Sequence, residues 1–216
     1  MHIHTRYEVS NNAGQDICDI VNNEGFDFLL VGSGISMSDS PDDIAATRYR
    51  TSFYNRYFKR FKAPESWFYP GALLKDKTKM FIARSNCDVG VFINRNFVKA
   101  TNTLVVISSE EDLFLLDYTR TLLKATHGSV GIVAKMSTTT PGHDQILKEL
   151  WDFVSSTPQT QLLPDKDLTP GLFNSYNFML IGYNTWNDVS EHRKEALQKM
   201  PSTLILNKNK RSSSDN

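Results

Sequence analysis

The chain has 216 residues, of which 40% are hydrophobic and 22% charged, so it is long enough to bury one α/β-sized core. Its 24 basic and 24 acidic residues cancel, which excludes a whole-chain basic signature for nucleic acid; any basic surface has to be local. Two separated cysteines, Cys18 and Cys87, exclude a zinc framework or a disulfide scaffold.

In chain order, Ile17, Ile20 and Val21 predict a short helix over about 15–22, closed by Gly25. The apolar run 26–31 stops at Gly32-Ser33-Gly34 and reads as a strand buried on both faces. Ser40-Pro41 starts a predicted helix over 41–61 whose Tyr49, Phe53, Tyr57 and Phe61 form one aromatic stripe, ended by Pro64. Residues 66–79 read as loop and edge structure, 80–83 as a short strand and 87–100 as a helix with Val91, Phe92 and Val98 facing inward. Strands at 104–107 and 130–134 flank a helix over 112–126. A helix over 141–155 follows, then a polar loop with Pro158, Pro164 and Pro170, a strand at 178–181, a helix over 188–200 and a strand at 203–206.

This alternation predicts an α/β chain, a three-layer Rossmann-like fold with a mostly parallel central sheet. One domain is expected over 1–206, with 1–25 as an N-terminal extension and 207–216 as a disordered, basic and serine-rich tail. The start of the chain has no basic segment followed by an apolar one, and no apolar run is long enough to span a bilayer. The expected address is therefore the cytoplasm or nucleus, with no secretion and no membrane partner.

In an open parallel sheet, chemistry collects at the carboxyl ends of the strands. Behind the 104–107 strand stands Ser108-Ser109-Glu110-Glu111-Asp112, and Asp88 precedes it. Any one of these carboxylates alone reads as a helix cap. If Asp88, Glu110 and Asp112 converge, they make an oxygen-rich pocket for Mg²⁺ or Mn²⁺ that activates water against a phosphodiester.

The stretches Ser85 to Val89, Thr101 to Leu113 and Gly128 to Val133 together resemble the core of the PIN-like NYN nuclease family over about 81–135. The resemblance implies a PIN-like fold, RNA as partner and a metal-dependent endoribonuclease with Asp88, Glu110 and Asp112 as catalytic metal ligands and Ser108 as their orienter. The family's first-strand acid is absent here, where Val31-Gly32-Ser33-Gly34 stands. That departure implies the alternative of a catalytically inactive, nuclease-like module that binds RNA or a protein partner.

Two further features point to phosphate. Arg48, Arg50, Arg56, Lys59, Arg60 and Lys62 give the aromatic-striped helix a basic face for a nucleic-acid backbone. Gly32, Ser33, Gly34 and Ser36 resemble the glycine-rich first turn of nucleotide-binding folds, which supports a second alternative, a nucleotide- or NAD-handling enzyme. A tight turn and a solvated helix face explain the same residues without a ligand. The histidines show no HxxxH or HExxH spacing, and Trp67, Trp151 and Trp186 read as packing residues.

Overall fold

The computed structural model describes residues 12–32, 77–136, 142–164, 168–192 and 199–209. Its elements are α1 (Ala13–Glu24), β1 (Phe28–Gly32), α2 (Lys77–Arg84), β2 (Asp88–Ile93), β3 (Asn102–Ile107), a 3-10 turn (Glu110–Asp112) and α3 (Leu115–Thr126). They continue with β4 (Ser129–Ala134), α4 (His143–Ser156), β5 (Thr160–Pro164), the one-turn α5 (Pro170–Phe173), β6 (Phe178–Gly182), α6 (Tyr183–His192) and β7 (Ser202–Asn207).

The strands form a seven-stranded sheet of order β1-β2-β7-β6-β3-β4-β5. All neighbours are parallel except β2 and β7, so β1 and β2 run against the other five. One face carries α5 and α6 over Leu104, Val106, Met179 and Ile181, with α1 and α2 over Leu29 and Val89. The opposite face carries α3 and α4 over Val105, Ile107, Ile132 and Leu180. Both faces of β3, β4 and β6 are thus covered, which is why these strands are runs of valine, isoleucine and leucine instead of alternating sequences. The result is a three-layer α/β sandwich with a mostly parallel sheet, a Rossmann-like architecture.

Local chemistry explains several boundaries. The Asn12 side chain accepts from Gln15 N–H to open α1, and Gly25 closes it at φ 68°. Thr169 caps α5 with Pro170 in the first turn.

Other expectations are corrected. Residues 80–83 belong to helix α2: Phe81 is buried with Cys18 and Val89, while Ala83, two residues on, is exposed. A short apolar run has no periodicity to separate helix from strand. Residues 87–100 are strand β2 followed by irregular chain, because Val89, Val91 and Ile93 are enclosed between β1 and β7; Val98, expected inside, is 92% exposed. The helix before β7 begins at Tyr183, directly after β6, and 193–198 lie outside the described residues. β5 was expected as loop; it forms because β4 offers a parallel partner along its length. β1 is an edge strand, with Phe28 and Leu30 exposed. Trp186 is fully buried, whereas Trp151 is more than half exposed. Among the described residues, no helix is long and apolar enough to cross a membrane.

Candidate functional site

The reversed direction of β1 and β2 decides which residues share an edge. Asp88 starts β2, one residue before Val89, which pairs with Asn207 at the end of β7, so it stands on the same edge as the carboxyl ends of β3 and β6. Asp88, Glu110 and Asp112 therefore do meet along one edge. They do not meet at one point. β7, β6 and β3 follow β2 in order, and two to three strand spacings amount to ~10–14 Å. Carboxylate oxygens on a hard divalent ion sit ~2.0–2.6 Å from it. Among the described residues no group of three or more His, Cys, Asp or Glu side chains could hold a metal. The expected metal-binding triad is thereby corrected.

Each acid has a local partner instead. Asp112 is 2% exposed, and its Oδ2 accepts from Ser108 N–H (2.9 Å), Ser108 Oγ (3.2 Å), Ser109 N–H (3.2 Å) and Thr185 Oγ1 (2.6 Å). Ser108 and Thr185 hydroxyls also contact each other. The carboxylate caps the 3-10 turn and ties it to α6. Its Oδ1 faces Gly182, where an added Cβ would lie 2.0 Å away. Glu110 lies by the start of α4, its Oε2 3.9 Å from the place a Cβ on Gly142 would take, where the helix dipole favours an anion. Glu111 Oε2 accepts from Asn184 Nδ2 at 2.7 Å.

Asp88 is a clasp. Its Oδ2 accepts from Tyr118 Oη and its Oδ1 from Asn209 N–H, both at 2.7 Å, so it joins β2, α3 and the chain beyond β7. Asn209 Nδ2 also donates to Ser85 O. The first residues of the expected disordered tail, Asn207 to Asn209, are thus held at the sheet edge. Burial, and then the hydrogen bond donated to Asp88, push the Tyr118 phenol well above the ordinary tyrosine value. A raised folded-state pKa means that the neutral phenol's contribution is complete below ~pH 10, the unfolded value, and is lost as pH climbs beyond it. Alkaline absorbance titration is expected to show one phenolate that appears late or only with unfolding, and Tyr118→Phe is expected to remove it. Ionisation of all tyrosines together near the ordinary value would contradict the clasp.

The remaining expected site residues fall elsewhere. Gly32 ends β1 at the edge opposite the cleft described below, because β1 runs against β3, β6 and β7. Ser33, Gly34 and Ser36 lie outside the described residues, as do Arg48, Arg50, Arg56, Lys59, Arg60 and Lys62.

A cleft of about 740 Å³ opens at the carboxyl ends of β6 and β7 and runs past the 3-10 turn into the groove between α3 and α4. Gly182, Tyr183 and Asn184 line one end, and Leu206 to Asn209 another. Leu113, Phe114, Leu116 and Phe153 supply apolar walls. Six carboxylates (Glu110, Glu111, Asp112, Asp117, Glu149 and Asp152) face two cations, Arg120 and Lys208. Arg120 is already engaged: it bonds Asp117 at 2.9 Å and lies 4.9 Å over the Phe153 ring. Only the Glu110–Asp112 part of this cleft was singled out from sequence. The rest comes from separate segments that share no motif, and no local signal marks Phe114, Glu149 or Asp152; Lys208 stands out only as part of the basic tail.

The fold resembles that of a universal stress protein. The likeness is to the one from Archaeoglobus fulgidus DSM 4304, at TM-score 0.50 and 10% identity, over 91% of this chain and 66% of that one. A functionally unknown protein from Pseudomonas aeruginosa PAO1 aligns at TM-score 0.46 and 11% identity, over 91% of this chain and 68% of that one. No family model and no curated protein matches. These findings overturn the PIN-like NYN resemblance, and with it the RNA-binding endoribonuclease reading and its inactive variant. The nucleotide- or NAD-handling reading built on Gly32–Ser36 fares no better, since Gly32 ends β1 on the edge away from the cleft. The misleading signal was the serine-and-acid turn after β3, a pattern that helix capping alone produces.

Proposed function

We propose that the chain is a universal-stress-type α/β domain that acts by binding a cationic ligand with an apolar body in the cleft at the carboxyl ends of β6 and β7. The fold likeness supports the first part. The cleft supports the second. Its volume is in the ~300–1,000 Å³ range of small-molecule sites, and it lies where open α/β sheets place ligands. Three times as many carboxylates as cations line it, a field that repels phosphate and attracts an ammonium or guanidinium group. Phe114, Leu116 and Phe153 offer the apolar contact.

Calorimetric titration with an alkylguanidinium and with the alkyl phosphate of equal chain length tests this. The cation is expected to bind ~10-fold or more tightly than the anion, and to weaken as salt screens the field. Glu149→Gln with Asp152→Asn, two changes outside the caps, is expected to lower its affinity several-fold. Equal or tighter binding of the phosphate would overturn the reading.

A further inference from the structure

The cleft already holds one guanidinium, and the chain itself supplies it. Arg120 projects from α3, and its Cζ lies 4.9 Å over the ring of Phe153 on α4. Its Nη1 bonds Asp117 Oδ1 at 2.9 Å, about one helical turn back. All three residues line the cleft where it enters the groove between the two helices. Phe153 is 2% exposed, with the guanidinium as part of its cover. An aromatic face beside a carboxylate is the pair of contacts a guanidinium seeks. Neither contact holds Arg120 firmly. The Arg120 and Asp117 side chains are 51% and 72% exposed, so water and salt compete with their ion pair. A cation over a ring at such an exposed position is weakly held as well.

We propose that Phe153 and Asp117 form a guanidinium subsite and that Arg120 is its displaceable internal occupant, which a ligand must expel in order to bind. This rests on the cationic-ligand reading above and deepens it, because the ligand class narrows from organic cations to alkylguanidiniums. A guanidinium is planar, weakly hydrated and able to stack on a ring, whereas an ammonium is a compact, strongly hydrated point charge. The ammonium gains less from Phe153 and displaces Arg120 less readily. Arg120 also sets the apparent affinity, since a ligand that needs the vacated seat binds in proportion to the fraction of molecules in which the seat is empty.

Calorimetric titration of butylguanidinium and butylammonium into the full chain and into its Arg120→Lys and Arg120→Ala variants tests the proposal. Arg120→Lys keeps the charge of the cleft but takes the planar group off the ring, so a gain in affinity comes from the seat and not from the field. It is expected to bind butylguanidinium ~3-fold or more tightly than the parent does, with butylammonium changed by less than ~2-fold. Arg120→Ala also removes a positive charge and is expected to tighten both ligands, the guanidinium ~3-fold more than the ammonium. In proton spectra of the parent, the Arg120 δ-methylene is expected to be shifted by the Phe153 ring and to return to its ordinary position as butylguanidinium saturates the cleft. Unchanged or weaker guanidinium binding in Arg120→Lys, with binding retained in the parent, would overturn the proposal and leave the cationic reading standing. Binding of neither cation to any of the three chains would overturn that reading, and the subsite with it.

Discussion

Asp112→Ala is expected to destabilise the chain by about 3–5 kcal/mol, read as a lower urea midpoint at unchanged slope. The carboxylate is buried and gathers four donors on one oxygen. Its removal leaves the Ser108 and Ser109 N–H groups without an acceptor, at about 1–3 kcal/mol each. The hydroxyls of Ser108 and Thr185 lose less, because they already touch and can bond each other. Asp112→Asn keeps the shape and one acceptor oxygen, so a cost of about 1–2 kcal/mol is expected for it. A carboxylate that served chiefly as a metal ligand would behave oppositely, with stability indifferent to the change. An alanine variant within about 0.5 kcal/mol of the parent would refute the capping role.

Gly182→Ala is expected to cost about 2–3 kcal/mol by overpacking. Its Cβ would stand 2.0 Å from Asp112 Oδ1 and 3.1 Å from Cγ. That carboxylate is not the free end of a flexible side chain; its other oxygen is pinned by Ser108, just after β3, and by Thr185 of α6. Relief of the clash therefore breaks hydrogen bonds. The two substitutions are predicted to be strongly coupled. In the Asp112→Ala background the Gly182→Ala penalty is expected to fall below about 1 kcal/mol, a non-additivity that a double-mutant cycle reads directly. Additive penalties would mean that Gly182 is required by its own backbone and not by Asp112.

The cap at Asp112 also shows why the function was misread while much of the fold was not. Serine followed by acids after an apolar run is compatible with a capped turn and with a metal-ligand turn. Only the positions of Thr185 and Gly182, some seventy residues later, distinguish them. Asp88 is a similar case. Its place before an apolar run was legible, but not that Tyr118 and Asn209 would occupy both of its oxygens. The cleft was largely illegible, because α3, α4, β6 and β7 contribute to it through residues that have no common spacing.

The sequence by itself determined the α/β class, the buried strands β3, β4, β6 and β7, and helices α1, α3 and α4, because these rest on local signals. Valine- and leucine-rich runs between glycines and polar turns require a strand covered on both faces, and apolar residues at three- and four-residue spacing require a helix with one buried side. Tertiary structure alone decided the rest. The antiparallel pairing of β2 with β7 places Asp88 at the carboxyl edge and turns Gly32 away from it. It also makes residues 88–93 a strand, because enclosure between two partners outweighs a helical spacing of apolar residues. Strand order and direction are set by which faces bury together across long separations in the chain. The composition of a single segment carries no record of its neighbour.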